Sequence, residues 1–251
     1  MRRLLPHPAQ APADPRARAR WLAQEYAAPE GLWVRAQMIS SLDGASSVAG
    51  RAGGLANASD EMLFAVTRAL ADVIVVGAQT ARSEFYGPAE PHPDLSEART
   101  ALGRPAAAAM VVISARLDIS PALLEQPAVP GAGTVVVTTD SAPADARRRI
   151  ESHGIEVIAA GEQSVNPTRL MEEISSRGHK SILLEGGPKL LGQFHAAKIL
   201  DEICLTISPR TVGGDSSRII LAGEGVTNWS LVSLIEDEGF LFTRYRHQSL
   251  S

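Results

Sequence analysis

Short apolar runs recur along this chain, separated by stretches with helical spacing. The first, 32–39 (LWVRAQMI), predicts a strand. Met62, Leu63, Val66 and Leu70 then repeat at helical intervals, and Ser59 and Asp60 suit the positive N-terminus of that helix. Residues 73–76 (VIVV) are β-branched throughout, the mark of a strand covered on both faces. Similar runs follow at 110–113, 135–139, 155–158 and 182–184, with helical patterns at 143–153, 167–177 and 188–198 between them. This alternation predicts a mainly parallel sheet with helices on both faces.

The two ends read differently. Residues 203–207, 230–235 and 240–246 are strand-like with no long helix between them, which predicts antiparallel edge strands closing a mixed sheet. Residues 6–15 (PHPAQAPADP) read as an extended arm, and 15–28 as a helix with one apolar side. The expected organisation is an arm and helix over 1–28 and one α/β domain over 29–251.

Composition narrows the function. Lys+Arg 24 against Asp+Glu 28, with 4% aromatic residues, argues against a nucleic-acid partner. The single cysteine, Cys204, excludes an intrachain disulfide framework and a Cys-based zinc site, and its apolar setting reads as a buried thiol. The six histidines show no metal-ligand spacing, so no metal is expected. No apolar stretch approaches a membrane span and no signal-peptide pattern follows the first residues, so a cytoplasmic protein is expected.

Open α/β sheets bind ligands beyond the carboxyl ends of their strands. The segments there are Ser40–Gly44, Gly77–Thr80, Ser114–Arg116, Thr138–Asp140 and Glu185–Pro188. In Glu185-Gly186-Gly187-Pro188, two glycines permit close backbone approach, and Pro188 suits a first helical turn whose free amides can hold a phosphate. A plain strand-to-helix turn explains the glycines equally well, but a carboxylate ending an apolar strand needs a ligand or a paired donor. Asp43 before Gly44 reads as a turn residue, and Arg68 as a solvated helical cation. Arg116, close after Ser114, offers a planar fork for a ribose 2′-phosphate or is a surface residue. No G-x-G-x-x-G, P-loop or G-x-S-x-G motif is present.

In order, the chain carries Ser41-Leu42-Asp43-Gly44, then Arg68-Ala69 through Asp72 to Gly77 and Thr80, then Glu185-Gly186-Gly187, Asp201-Glu202, and Pro209 with Gly213-Gly214. Over about residues 32–247 this series resembles the reductase domain of riboflavin biosynthesis. The resemblance implies a dihydrofolate-reductase-like fold, NADPH as hydride donor, and a homodimer. It also implies reduction of a phosphoribosylamino pyrimidine, as in the 5-amino-6-(5-phosphoribosylamino)uracil reductases, here without the zinc deaminase partner domain. By position, it implies cofactor contacts at Leu55 (or Gly54), Thr80, Glu84, Ser114, Arg116 and the segment Gly186, Gly187, Pro188, Lys189, Leu190 and Leu191. Glu185 would meet the pyrimidine or ribose, Arg68 the phosphate, and Asp43 the floor between the ligands, with Asp43 and Glu185 as the catalytic candidates.

One departure from the family pattern stands out. The family continues from the threonine to D-x-P-x-L-x-x-R, whereas this chain reads Glu84-Phe85-Tyr86-Gly87-Pro88, with no arginine before Arg99. Losing that phosphate fork costs about 1.5–3 kcal/mol of binding. Phe85 and Tyr86 would then line the substrate end. A second reading is therefore a reductase of another flat, nitrogen-rich ring such as dihydrofolate, and a third is an NADPH-binding protein without catalysis.

Overall fold

The structure is a computed structural model that describes residues 1–221 and 225–248. Its strands are β1 (Arg2–Leu5), β2 (Ala9–Gln10), β3 (Trp33–Ser40), β4 (Val73–Gly77), β5 (Ala109–Ile113), β6 (Thr134–Thr138), β7 (Glu156–Ala159), β8 (Ser181–Leu184), β9 (Glu202–Ile207), β10 (Trp229–Asp237) and β11 (Phe240–His247). Its helices are α1 (Pro15–Glu25), α2 (Ala58–Leu70), α3 (Ala78–Ser83), α4 (Ser96–Ala101), α5 (Ala144–Glu151), α6 (Pro167–Ser176) and α7 (Pro188–Ala196).

The strands form one sheet in the order β2-β1-β10-β11-β9-β3-β8-β4-β5-β6-β7. From β9 through β7 every neighbour is parallel, and from β9 back to β2 every neighbour is antiparallel. The mixed α/β architecture expected from the apolar pattern is therefore the observed one. The β-branched run Val73–Val76 is buried in the middle of the parallel half.

Helices cover both faces. Leu170, Ile174, Leu191 and Phe194 of α6 and α7 pack on Val34, Val75 and Leu184 from one side. Leu22, Leu63 and Val66 of α1 and α2 pack with Phe240, Phe242 and Ile235 in a separate cluster. Each such buried side chain contributes about 1.5–3 kcal/mol. This packing fixes where the helix starts lie relative to the strand ends.

The amino-terminal stretch differs from the expectation of an extended arm. Strands β1 and β2 lengthen the antiparallel edge, and α1 starts at the Asp14 cap and Pro15 and packs on α2. Helix α2 begins earlier than the Ser59 signal suggested. Asn57 is its cap, accepting from the Asp60 amide at 3.0 Å, while the Ser59 hydroxyl is bonded to Asp237.

Candidate functional site

A cleft of ≈ 700 Å³ opens over the carboxyl ends of β3, β4 and β8. One wall is the turn between β8 and α7. The Gly186 carbonyl accepts from the Gly77 amide at 2.8 Å, and the Glu185 amide donates to the Val75 carbonyl at 2.9 Å, so this turn is bound to the end of β4. A Cβ on Gly187 would sit 2.5 Å from Thr80 Oγ1, and Gly186 has φ +82°; both positions require glycine. Helix α7 then starts at Pro188, leaving the amides of Lys189 and Leu190 in its first turn without a carbonyl one turn back. Gly187, Pro188, Lys189 and Leu190 all line the cleft beside Ala78, Gln79 and Thr80. Free amides at a helix start, next to glycines that keep side chains away, suit the diphosphate of a dinucleotide.

Helix α2 and Tyr86, just past α3, extend the cleft beyond Glu185. Arg68 and Glu185 meet in a two-pronged pair, Nε to Oε1 and Nη2 to Oε2, both 2.7 Å. The Glu185 side chain is fully buried and that of Arg68 is 25% exposed. The Arg68 guanidinium lies 4.5 Å from the ring centres of both Phe64 and Tyr86. Burial alone would lower the Arg68 guanidinium, and the Glu185 carboxylate more than reverses this. Burial, and then the same carboxylate, push the Tyr86 phenol well above its usual range. Phe64, Tyr86, Glu185, Asp60, Glu61 and Gln37 also line the cleft.

The cleft brings together Thr80, Glu84, Tyr86, Glu185, Gly187, Pro188, Lys189 and Leu190. Glu84 also accepts from the Ala52 amide at 2.7 Å, which ties the 48–54 loop to α3. Other residues fall elsewhere than expected. Arg68 is not a free cation, because Glu185 holds it. Phe85 is 75% exposed and lies under the Arg51 guanidinium at 4.9 Å, outside the cleft. Leu55 is fully buried beside residues Ala52, Gly53 and Ala56, which line the cleft in its place, and a Cβ on Gly54 would lie 2.9 Å from Val48 Cβ. Leu191 faces the core, since it lies one turn along a helix that buries that side. Ser114 and the exposed Arg116 follow Ile113, which lines the cleft, but are themselves outside it.

Asp43 is exposed and spends its carboxylate on the loop after β9. It accepts from the Val212 amide at 3.1 Å and the Gly213 amide at 2.7 Å, as well as from the Ser41 hydroxyl. These bonds, the Ser41 hydroxyl foremost, hold its carboxyl down at about 2. It pins two loops together and does not form the floor of the cleft.

Sequence reasoning overlooked Gln37, and took Asp60 only as a helix-start residue. A signal for the first was present: Arg35 and Gln37 are polar residues two apart in an otherwise apolar strand, hence on one face of it. Among the described residues no cluster of three or more His, Cys, Asp or Glu could hold a metal ion, and no helix is long and apolar enough to cross a membrane.

The family profile of the RibD C-terminal domain matches residues 32–239. The 2,5-diamino-6-ribosylamino-4(3H)-pyrimidinone 5′-phosphate reductase of Aquifex aeolicus is 31% identical over 158 residues, which are 63% of this chain and 66% of that protein. This chain thus spans just under two thirds of that relative. The protein of the same name from Archaeoglobus fulgidus is 27% identical over 178 residues, 70% of this chain and 80% of its own length. Among solved structures, a pyrimidine reductase-like protein from Corynebacterium diphtheriae superposes with a TM-score of 0.82 at 29% identity, covering 91% of this chain and 99% of that one. The chain belongs to the RibD C-terminal domain family.

Proposed function

We propose that this protein is an NADPH-dependent reductase that converts the ribosylamino group of a phosphorylated pyrimidine nucleotide to a ribitylamino group. One observation carries the reading: two of the family's motifs, the one ending at Thr80 and the Glu185-Gly186-Gly187 turn, meet at one cleft, where Thr80 lies against Gly187 and Glu185 holds Arg68. The amides of Lys189 and Leu190 would hold the diphosphate of the cofactor. Ser114 and Arg116 follow β5, whose Ile113 is in register with Gly77, and would reach the 2′-phosphate. When bound, the reduced nicotinamide supplies the hydride. The Glu185–Arg68 pair and the Tyr86 ring would fix the substrate's orientation and exclude water from the reacting carbon. The homodimer and the cytoplasmic location implied by the family belong to the same proposal.

One observation favours dihydrofolate, or another flat nitrogen-rich ring, as the alternative substrate. Arg68 is already paired, and among the described residues the only other cation on the cleft wall is Lys189. The decisive assay follows NADPH absorbance with the ribosylamino pyrimidine phosphate and, separately, with dihydrofolate. Turnover of the first at an ordinary enzymatic rate supports the proposal. Turnover of dihydrofolate alone contradicts it, as does tight NADPH binding with no turnover of either.

A further inference from the structure

Two consecutive aromatic residues just past α3 each carry a guanidinium. Arg68 lies 4.5 Å from the Tyr86 ring centre, and Arg51 lies 4.9 Å from that of Phe85. The two cations differ in the donors they have left. Glu185 takes two N–H groups of Arg68, both at 2.7 Å. Arg51 approaches a carboxylate only through Nε, 3.9 Å from Glu84 Oε2, which is too long for a hydrogen bond. Its side chain is 54% exposed, and its Nη groups have no protein partner among the described residues.

The setting of Arg51 is nevertheless rigid. Val48 and Arg51 exchange amide–carbonyl bonds of 2.9 and 3.0 Å around a two-residue turn, Ala49-Gly50, in which both residues have positive φ. The next residue, Ala52, donates its amide to Glu84 Oε1 at 2.7 Å. Phe85 is held at φ +57°, uncommon for a bulky side chain, and its ring is 75% exposed. A ring presented in this way gains little from packing, but it gives the guanidinium a flat seat. Stacked on it, the guanidinium keeps its N–H edge open, the geometry that forks the oxygens of a phosphate. Gly50 and Ala52, on either side of Arg51, line the cleft, so that edge stands at the rim.

We propose that Arg51, seated on Phe85, holds the phosphate of the substrate and takes the place of the arginine that the segment after Glu84 lacks. The inference rests on the reductase reading of this cleft. With the pyrimidine at the Glu185–Arg68 pair and Tyr86, a phosphate at the far end of the sugar comes to the rim, where Phe85 is the next residue along. Lys189, at the start of α7, is left to the cofactor. Two nearby guanidiniums are engaged elsewhere, Arg82 with Asp118 and Arg210 with the Gly54 carbonyl.

The test compares kcat/KM for the ribosylamino pyrimidine phosphate and for its dephosphorylated form, in the wild type and in Arg51→Gln. The substitution should lower the value for the phosphorylated compound by about 10–100-fold, the scale of charge-assisted hydrogen bonds. It should change the value for the dephosphorylated compound by less than about 2-fold and keep the wild-type KM for NADPH and thermal midpoint. Arg51→Lys, which restores the charge without the fork, should fall between. Equal losses with both compounds, no loss with either, or a loss confined to the KM for NADPH overturns the inference. If neither compound is reduced, the reductase reading itself fails, and the phosphate site is then decided by calorimetry with ribose 5-phosphate in the presence of NADPH. Saturable binding that Arg51→Gln weakens by at least about 10-fold supports the site. No binding to the wild type, or equal binding to both proteins, overturns it.

Discussion

The molecule contains two buried arginine–glutamate clusters on the same sheet, and they differ in what surrounds them. At the start of β9, Glu202 is fully buried between Arg35 and Arg244. Both arginines approach the Tyr26 ring, and Arg244 also donates to the Glu25 carbonyl. Burial alone would raise the Glu202 carboxyl, and the two arginines more than reverse that. At the far end of β8, Glu185 holds Arg68 by two bonds of 2.7 Å, with the cleft beside them. The chemistry is the same. The first cluster sits at the amino ends of β3 and β9, under α1, where it can only join elements. The second sits where the parallel strands finish, beside the cleft, and on the proposed reading it orients groups toward a ligand. On that reading, position along the strand separates a structural pair from a functional one.

Substitutions can break this comparison. Glu202→Ala should have the largest effect on stability, because it leaves two buried guanidinium groups facing each other. A loss of about 3–5 kcal/mol is expected, lowering the thermal midpoint by about 10 °C. A midpoint within about 2 °C of the wild type would show that this cluster is not a structural keystone. Glu185→Gln should lower the midpoint less, since the Arg68 side chain still reaches solvent. It should nevertheless reduce kcat/KM by about 100-fold, the scale of a misplaced reacting group. Unchanged kcat/KM would remove Glu185 from the working site and make the two clusters equivalent.

How much of this was legible in the sequence follows from what burial does to local patterns. Strands β4, β5, β6 and β8 are covered on both faces, so each shows an apolar run with few polar interruptions. Strands β1 and β2 were hidden because their pairing is to β10 and to each other, at the opposite end of the chain, with Pro6 and Pro8 around the turn. Helices α3 and α4 have six residues each, too few for a period to show. In the site, the glycine turn was readable because a close backbone approach demands glycine whatever the fold. The partner of Arg68 was not, since Glu185 lies 117 positions away and only the β4–β8 pairing brings α2 to it. Asp43 was read correctly as a turn residue from Asp-Gly alone, and its placement between ligands came only from the family pattern. Asp60 satisfies the ordinary preference for acidic residues at a helix start, which concealed its position on the cleft wall.

The central claim is that the dinucleotide lies at the start of α7. It is tested most directly by titrating NADPH into isotopically labelled protein and following the backbone amide resonances. The account predicts that the amides of Lys189 and Leu190 shift and become protected from hydrogen exchange together with Gly187 and Thr80. Saturable binding that perturbs other amides and leaves these four unmoved would contradict it.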